Sequence, residues 1–344
     1  MRRRSALTLY AATAIAHPNI ALAKYWGKRD DGVNQPAVPS LSVTLSGMST
    51  TTTVTFVASL EADSLLLGGV PAFGRPLERV VGLLDRVRRA SGRTERASVA
   101  SENDFPTAAG LASSASGFAA LALAAASAAG LDAAPTYVSD LARRTSVSAA
   151  RSAFGGFVEL PAGKPGDDDL SAVPVAPPDQ LDLRVIVAVT QEGPKDVGST
   201  EGMKHTVRTS PYYPAWVESA PALCNRVREA ILRRDLEALG VAAEESALAM
   251  HATSIAARPG LIYWTGATVE ALREVRRLRE RGVLAYATID AGPHVKVLTT
   301  NADEPRVISA LGEVPGVKRT IVASPGPGAR LADVPTRMTK GSKS

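Results

Sequence analysis

From Phe105 to Ala129 the chain is dominated by small residues: Phe105-Pro-Thr-Ala-Ala-Gly-Leu-Ala-Ser-Ser-Ala-Ser-Gly117, then an alanine-rich run. Few folds accommodate such a segment. Small residues let a backbone turn tightly and approach a neighbour or a ligand closely. The run predicts a helix over 114–129, too short and too alanine-rich to cross a membrane, so close packing must hold it. Serines at the turn can cap that helix, and the free N–H groups at its start, with its dipole, favour a phosphate. No Gly-Lys-Ser/Thr of a Walker A loop is present. On the residues alone, a phosphate-binding turn and a plain cap before a close-packed helix are equally good readings.

At 344 residues the chain is long enough for two lobes. A hydrophobic fraction of 45% with 21% charged residues excludes a mainly disordered chain. No apolar run approaches the roughly 20 residues that span a bilayer. Cys224, the single cysteine, excludes an intrachain disulfide and suits a reducing, cytoplasmic setting. Met1-Arg2-Arg3-Arg4 before 7–16 has the outline of a secretory leader, but Thr8 and Thr13 interrupt it and His17-Pro18-Asn19 follows at once. We read a basic end and a first strand. The polar, basic tail 335–344 is expected to fray.

β-branched alternation predicts strands over 40–46 and 50–57, paired with each other. Residues 65–69 read as a strand and a turn, 97–101 and 183–190 as strands, and 163–180, rich in Pro, Gly and Asp, as a surface loop. Apolar spacing predicts helices over 78–89, 137–144, 214–233, 236–251, 267–281 and 304–311. Strands are expected at 284–289, 295–299 and 318–322. Strands early and helices late argue an α+β fold, with lobes over 1–190 and 191–334.

Four further segments carry chemistry. Asn19-Ile-Ala-Leu-Ala-Lys-Tyr-Trp-Gly-Lys28 puts two lysines beside two aromatics; lysines partner phosphate oxygens, although a solvated loop with aromatics sealing the core edge reads slightly better. Thr145-Ser-Val-Ser-Ala-Ala-Arg-Ser152 sets one arginine among hydroxyls, fit to hold a carboxylate or simply to pair a surface acid. Asp290-Ala-Gly-Pro293 places an acid at a strand end, a position for a catalytic group or for an Asp that turns on its own backbone. In Lys195-Asp-Val-Gly-Ser-Thr-Glu-Gly202, Ser199 and Thr200 read first as helix caps and second as phosphate contacts. His17, His205, His251 and His294 have no metal-ligand spacing, and no protein metal site is assigned.

Taken in order, these segments, with Ser40-Leu-Ser-Val-Thr-Leu45, Gly155-Gly-Phe157 and Gly198-Ser-Thr-Glu-Gly-Met203, resemble the diphosphomevalonate decarboxylase family of the GHMP kinase superfamily. The likeness spans roughly residues 15 to 297, and Lys24-Tyr-Trp-Gly-Lys28 is its most specific part. It implies an N-terminal lobe like ribosomal protein S5 domain 2, a ferredoxin-like C-terminal lobe, and a site in the cleft between them. It further implies ATP, Mg²⁺ and 5-diphosphomevalonate, isopentenyl diphosphate as product, a homodimer, and no nucleic-acid or membrane partner. Under it, Asp290 orients or deprotonates the 3-hydroxyl, Arg151 holds the C1 carboxylate with Asn19 bracing it, and Lys24 is a further phosphate or Asp290 partner. Tyr25, Trp26, Gly27, Lys28, Arg79, Ser146, Ser148 and Thr200 bind substrate. Ala109, Gly110, Leu111, Ala112, Ser113, Ser114 and Ser199 cradle the ATP phosphates.

The chain departs from the family pattern in places. Thr145 and Val147 stand where glycines are common, His294 where Asn follows Asp-Ala-Gly-Pro, and Ala23 where a bulkier aliphatic is usual. Alternatives within the superfamily are a 5-phosphomevalonate decarboxylase and a mevalonate 3-kinase that stops at phosphoryl transfer. A net charge of +5 also admits a nucleic-acid-binding module, but the basic residues are spread along the chain and no RNP, KH or Cys/His motif occurs.

Overall fold

The computed structural model describes residues 10–29, 34–105, 113–166, 168–193 and 196–332. The basic N-terminal end, the turn residues 106–112, Lys195 and the tail expected to fray lie outside the described residues. The earlier half runs β1 (Tyr10–Ala16), β2 (Asn19–Ala23), β3 (Ser40–Thr44), β4 (Thr50–Val57), β5 (Ser64–Leu67), β6 (Val70–Pro71), α1 (Arg75–Ser91), β7 (Arg96–Asn103), α2 (Ser113–Ala128) and α3 (Pro135–Arg143). A 3₁₀ segment, Val147–Ala153, leads to β8 (Phe157–Leu160) and β9 (Val173–Ala176). The later half holds β10 (Arg184–Val189), α4 (Ser199–Thr209), α5 (Tyr213–Leu232), α6 (Leu236–Ile255), α7 (Gly266–Glu280), β11 (Ala285–Ile289), β12 (Val295–Thr299), α8 (Glu304–Gly312), β13 (Arg319–Ala323) and β14 (Arg330–Leu331).

The strands form three sheets of order β14-β1-β4-β7-β5-β6, β2-β3-β8-β9 and β11-β12-β10-β13. The fold is a two-lobed α+β architecture. Helix α1 packs Val80, Leu83, Leu84 and Val87 onto the first sheet, the spacing that predicted it. Helix α2 buries alanines on nearly every side. Ala119 and Ala120 meet Ala16 of β1, and the Ser116 hydroxyl lies 2.6 Å from that of Thr50. Larger side chains would hold the helix off the strands, so its small residues serve close approach.

The two strands expected to pair do not. β3 joins β2 and β8, whereas β4 joins β1 and β7. Every residue of β3 is buried, but β4 alternates buried and half-buried. A strand covered on both faces needs layers on both sides, and an alternating one needs a single covered face. The chain changes sheets between Leu45 and Ser49. The region 163–180 is also more ordered than a surface loop. It contributes β9, an edge strand, and Arg143 on α3 grips it through Leu170 O and Asp168 O at 2.9 Å each.

The third sheet is sandwiched. Val295 and Val297 face a cluster with α7 and α8, while Val185, Val187 and Leu298 face a core shared with Ile20, Leu22 and Leu41. Thus β2 and β3 pack against the sheet that carries β11 and β12. The C-terminal segment then returns, and β14 pairs with β1. On the way it crosses Gly155 so closely that a Cβ on Gly328 would lie 2.8 Å from Gly155 N and 2.9 Å from Ala153 O. The crossing lies a few residues from Arg151. Gly328→Ala should lower stability by about 1–3 kcal/mol, read as a lower thermal midpoint; an unchanged midpoint would show that this crossing is not tightly docked.

Candidate active site

The site is assembled around the end of β2. The Lys24 amide donates to Ser246 Oγ on α6 (2.9 Å), and Trp216 Nε1 on α5 donates to the Trp26 carbonyl (2.8 Å). Gly27 takes φ +106°, and a Cβ there would lie 2.1 Å from the Tyr213 hydroxyl. Only glycine serves a positive φ under that ring. The segment is therefore clamped rather than a solvated loop, and Trp26 is sealed into a cluster with Met203, Trp216 and Tyr263.

Lys24 Nζ lies 2.7 Å from Asp290 Oδ1, and Lys296 Nζ lies 3.1 Å from Asp290 Oδ2. Both lysines are 1% exposed and the Asp290 side chain 31%. Burial opposes ionisation of Asp290, but Lys24 and then Lys296 outweigh it and hold the carboxyl well below the usual range. Burial pulls Lys24 down to about 8, with Asp290 opposing and Lys296 and Arg151 adding repulsion. His251, fully buried beneath Asp290 against Trp264 and Tyr263, is lowered to about 4 by burial and the Lys24 charge.

Arg151 is held by hydroxyls. Its Nε donates to Ser42 Oγ (2.9 Å), Nη1 to Ser40 Oγ (2.6 Å) and Nη2 to Asn19 Oδ1 (3.4 Å). Asn19 in turn donates to Ser148 O (3.0 Å) and Ser152 Oγ (2.8 Å). Burial lowers Arg151 to about 10, with Asp290 opposing, which leaves it charged at neutral pH. Ser40 and Ser42 share one face of β3, so a strand presents the cradle and the 3₁₀ segment supplies the guanidinium.

One cavity of about 1100 Å³ joins these groups. It is lined by Asn19, Lys24, Tyr25, Trp26, Lys28, Arg79, Ser113, Ser114, Ser146, Ser148, Arg151, Ser199, Thr200 and Asp290. These are all the site residues expected from sequence that are described, apart from Gly27, which serves the backbone turn. Ala109, Gly110, Leu111 and Ala112 lie outside the described residues. Ser113 opens α2 and Ser199 opens α4, so two helix starts face the cavity.

Lys296 and Arg75 also line the cavity and were not anticipated. Signals for both existed. Lys296 interrupts an apolar strand, and Arg75 lies four residues from Arg79, on the same helix face. His294, flagged as a departure, lines it too; its Nδ1 accepts from the Thr190 amide (3.2 Å), and burial, Lys296 and Arg319 lower it to about 4, so it is neutral.

Lys28 reaches Asn34 Oδ1 (2.6 Å) and Arg79 reaches Thr145 O (3.0 Å). Among the described residues neither of them, nor Arg75, pairs with a carboxylate. Burial and then Arg79, Lys204 and Arg75 pull Lys28 down to about 8. Unbalanced like charges of this kind fit a polyanion. Among the described residues the Tyr25 hydroxyl is buried with no partner, as befits a group that meets a ligand. No group of three His, Cys, Asp or Glu side chains among the described residues is placed to cage a metal. A Mg²⁺ ion here fits the mode in which phosphate oxygens, hydroxyls and water hold it.

Comparison with known proteins gives one answer. Residues 16–172 match the family model described as diphosphomevalonate decarboxylase-like N-terminal domain, and 185–334 match the mevalonate 5-diphosphate decarboxylase C-terminal domain. The chain is 35% identical to the diphosphomevalonate decarboxylase of Candida albicans, over 93% of this chain and 97% of that one. It is 35% identical to the phosphomevalonate decarboxylase of Haloferax volcanii, over 92% and 96%. A solved structure described as MDDEF in complex with MVAPP, AMPPCP and magnesium superposes with TM-score 0.89 at 39% identity, and a mevalonate diphosphate decarboxylase from Enterococcus faecalis with TM-score 0.88 at 38%, each over 95% of this chain and 100% of that one.

The buried lysine provides a direct check. Lys24 should titrate near 8 rather than at its ordinary 10.5, measured by NMR of ¹³C-labelled lysine with Lys24→Arg for assignment. A lowered value shows burial outweighing the pull of Asp290, and an ordinary value would show the two in balance.

Proposed function

Because the chain belongs to the diphosphomevalonate decarboxylase family, we propose that this cleft carries out the ATP-dependent decarboxylation of (R)-5-diphosphomevalonate to isopentenyl diphosphate, CO₂, ADP and phosphate. One observation carries the reading: Asp290, Arg151, three basic side chains that pair with no carboxylate among the described residues, and the start of α2 share a single cavity. ATP, bound with Mg²⁺ along Ser113, Ser114 and Ser199, supplies the phosphoryl group that makes the tertiary hydroxyl a leaving group.

The side chains then divide the work. Asp290 accepts a hydrogen bond from the 3-hydroxyl and stays negative beside the positive charge that grows at C3. Arg151, braced by Asn19, holds the C1 carboxylate in line with the breaking C1–C2 bond. Lys28, Arg79 and Arg75 receive the diphosphate, with Ser146, Ser148, Thr200 and the Tyr25 hydroxyl around the carbon chain. Trp26 and Gly27 set the wall that carries Tyr25. In this reading the lobe 1–190 brings Arg151, the basic side chains and the start of α2, and the lobe 191–334 brings Asp290 and the start of α4.

A cytoplasmic homodimer is part of the proposal. Among the described residues no helix is long and apolar enough to cross a membrane. Cys224 is fully buried, and burial pushes its thiol up to about 12, which suits a chain that needs no disulfide.

The deciding assay offers ATP, Mg²⁺ and each of mevalonate, 5-phosphomevalonate and 5-diphosphomevalonate, and measures CO₂ and ADP together. Equal CO₂ and ADP from the diphosphate is the expected result. CO₂ from the monophosphate alone would move the chain to the activity named for its Haloferax relative, and ADP without CO₂ would make it a kinase. Asp290→Asn should lose turnover by about 10³-fold or more while nucleotide still binds; wild-type turnover would remove Asp290 from its role. Lys24 is charged below about 8 and neutral above it, so turnover should fall as pH rises through that value.

A further inference from the structure

Lys296 has no task in the reading above, yet the fold goes to some length to hold it. It lies in β12, in the interior of its sheet, opposite Val187 of β10 and Thr288 of β11. The alternation that sends Val295 and Val297 toward α7 and α8 turns Lys296 and Leu298 the other way, toward β2. Thr288, its neighbour on that face, reaches Ala21 O at 3.5 Å. The ammonium is 1% exposed, and its close partner is Asp290 Oδ2 at 3.1 Å; the His294 carbonyl is more distant, at 3.5 Å.

Stability does not explain this arrangement. A buried lysine is costly even when paired, and an apolar residue of similar volume is usually as good or better. Asp290 already has a buried partner in Lys24 at 2.7 Å. The groups that face Asp290 are Lys24 after β2, Lys296 on β12, Arg151 on the 3₁₀ segment, His294 in the following turn and His251 on α6. The two histidines are neutral, so three cations surround one carboxylate. That excess suits a pocket that must admit further negative charge, and it leaves each oxygen of Asp290 with its own ammonium.

We propose that Lys296 is a positioning residue for the decarboxylation: it holds Asp290 from the oxygen opposite Lys24, so the carboxylate cannot rotate away from the reacting hydroxyl. The proposal rests on the decarboxylase reading of the site. A carboxylate pinned at both oxygens is a fixed acceptor and a fixed negative charge. Its remaining lone pairs face the cavity, where it can align the 3-hydroxyl and stay charged next to C3.

The test uses the full chain with Lys296→Met, Lys296→Gln and Lys296→Arg, with kcat and KM for 5-diphosphomevalonate followed from pH 5 to 9. In Lys296→Met kcat should fall roughly 10- to 100-fold with KM within a few-fold of wild type. Lys296→Arg, which keeps a cation at Asp290 Oδ2, should bring kcat back to within a few-fold of wild type. Lys296→Gln, judged by the same readouts, replaces the methionine variant if that fails to fold. A neutral variant with wild-type kcat overturns the proposal while the wild-type enzyme still releases CO₂. A wild-type enzyme that releases none overturns the decarboxylase reading and this inference with it.

Discussion

Asp290 and its two lysines form the contact on which the site depends. Charges taken out of water must find partners, and here the partners come from distant parts of the chain. Lys24 follows β2 near the start, whereas Asp290 and Lys296 flank the turn between β11 and β12. Satisfying the three together requires β2 to lie against the third sheet. The apolar contacts of Ile20 and Leu22 with Val185, Val187 and Leu298 supply the driving force, and the charged cluster sets where along that interface the chains stop.

The anion sites are built on different physics. Among the described residues Arg151 meets no carboxylate at close range; Ser40, Ser42 and Asn19 orient it with neutral acceptors. A guanidinium held by hydroxyls keeps charge to offer, while one held by an acid has already spent it. At the other end of the cavity Lys28 donates to Asn34 and Arg79 to the Thr145 carbonyl, and Arg75 adds like charge beside them. Preorganised positive charge of this kind binds a polyanion without rearrangement at the moment of reaction.

Several elements were readable because one local rule governed them. Val80, Leu83, Leu84 and Val87 recur at helical spacing and bury that face of α1. The apolar strand over 295–299 was predicted to the residue. Other elements obeyed a rule that local reading does not contain. The strands over 40–44 and 50–57 look like a hairpin, but the fully buried β3 belongs in a sheet covered on both faces. Over 19–28 a solvated loop reads slightly better from the residues alone, yet Asn19 and Lys24 are buried because distant groups receive them. Lys296 went unremarked because a lone lysine in a strand usually faces water.

The sequence by itself determined the two-lobed α+β class, the family and fourteen of the side chains that line the cavity, because chemistry that needs a glycine turn, a cradle of hydroxyls or an acid before Gly-Pro leaves short patterns of its own. Only the tertiary structure decided which charges share space. That Asp290 carries a second buried ammonium, that Arg151 rests on β3, and that Gly27 bends beneath Tyr213 rather than lining the cleft are facts about strand pairing across hundreds of residues. Burial and pairing are properties of three-dimensional neighbourhoods, and no local spacing along a chain encodes them.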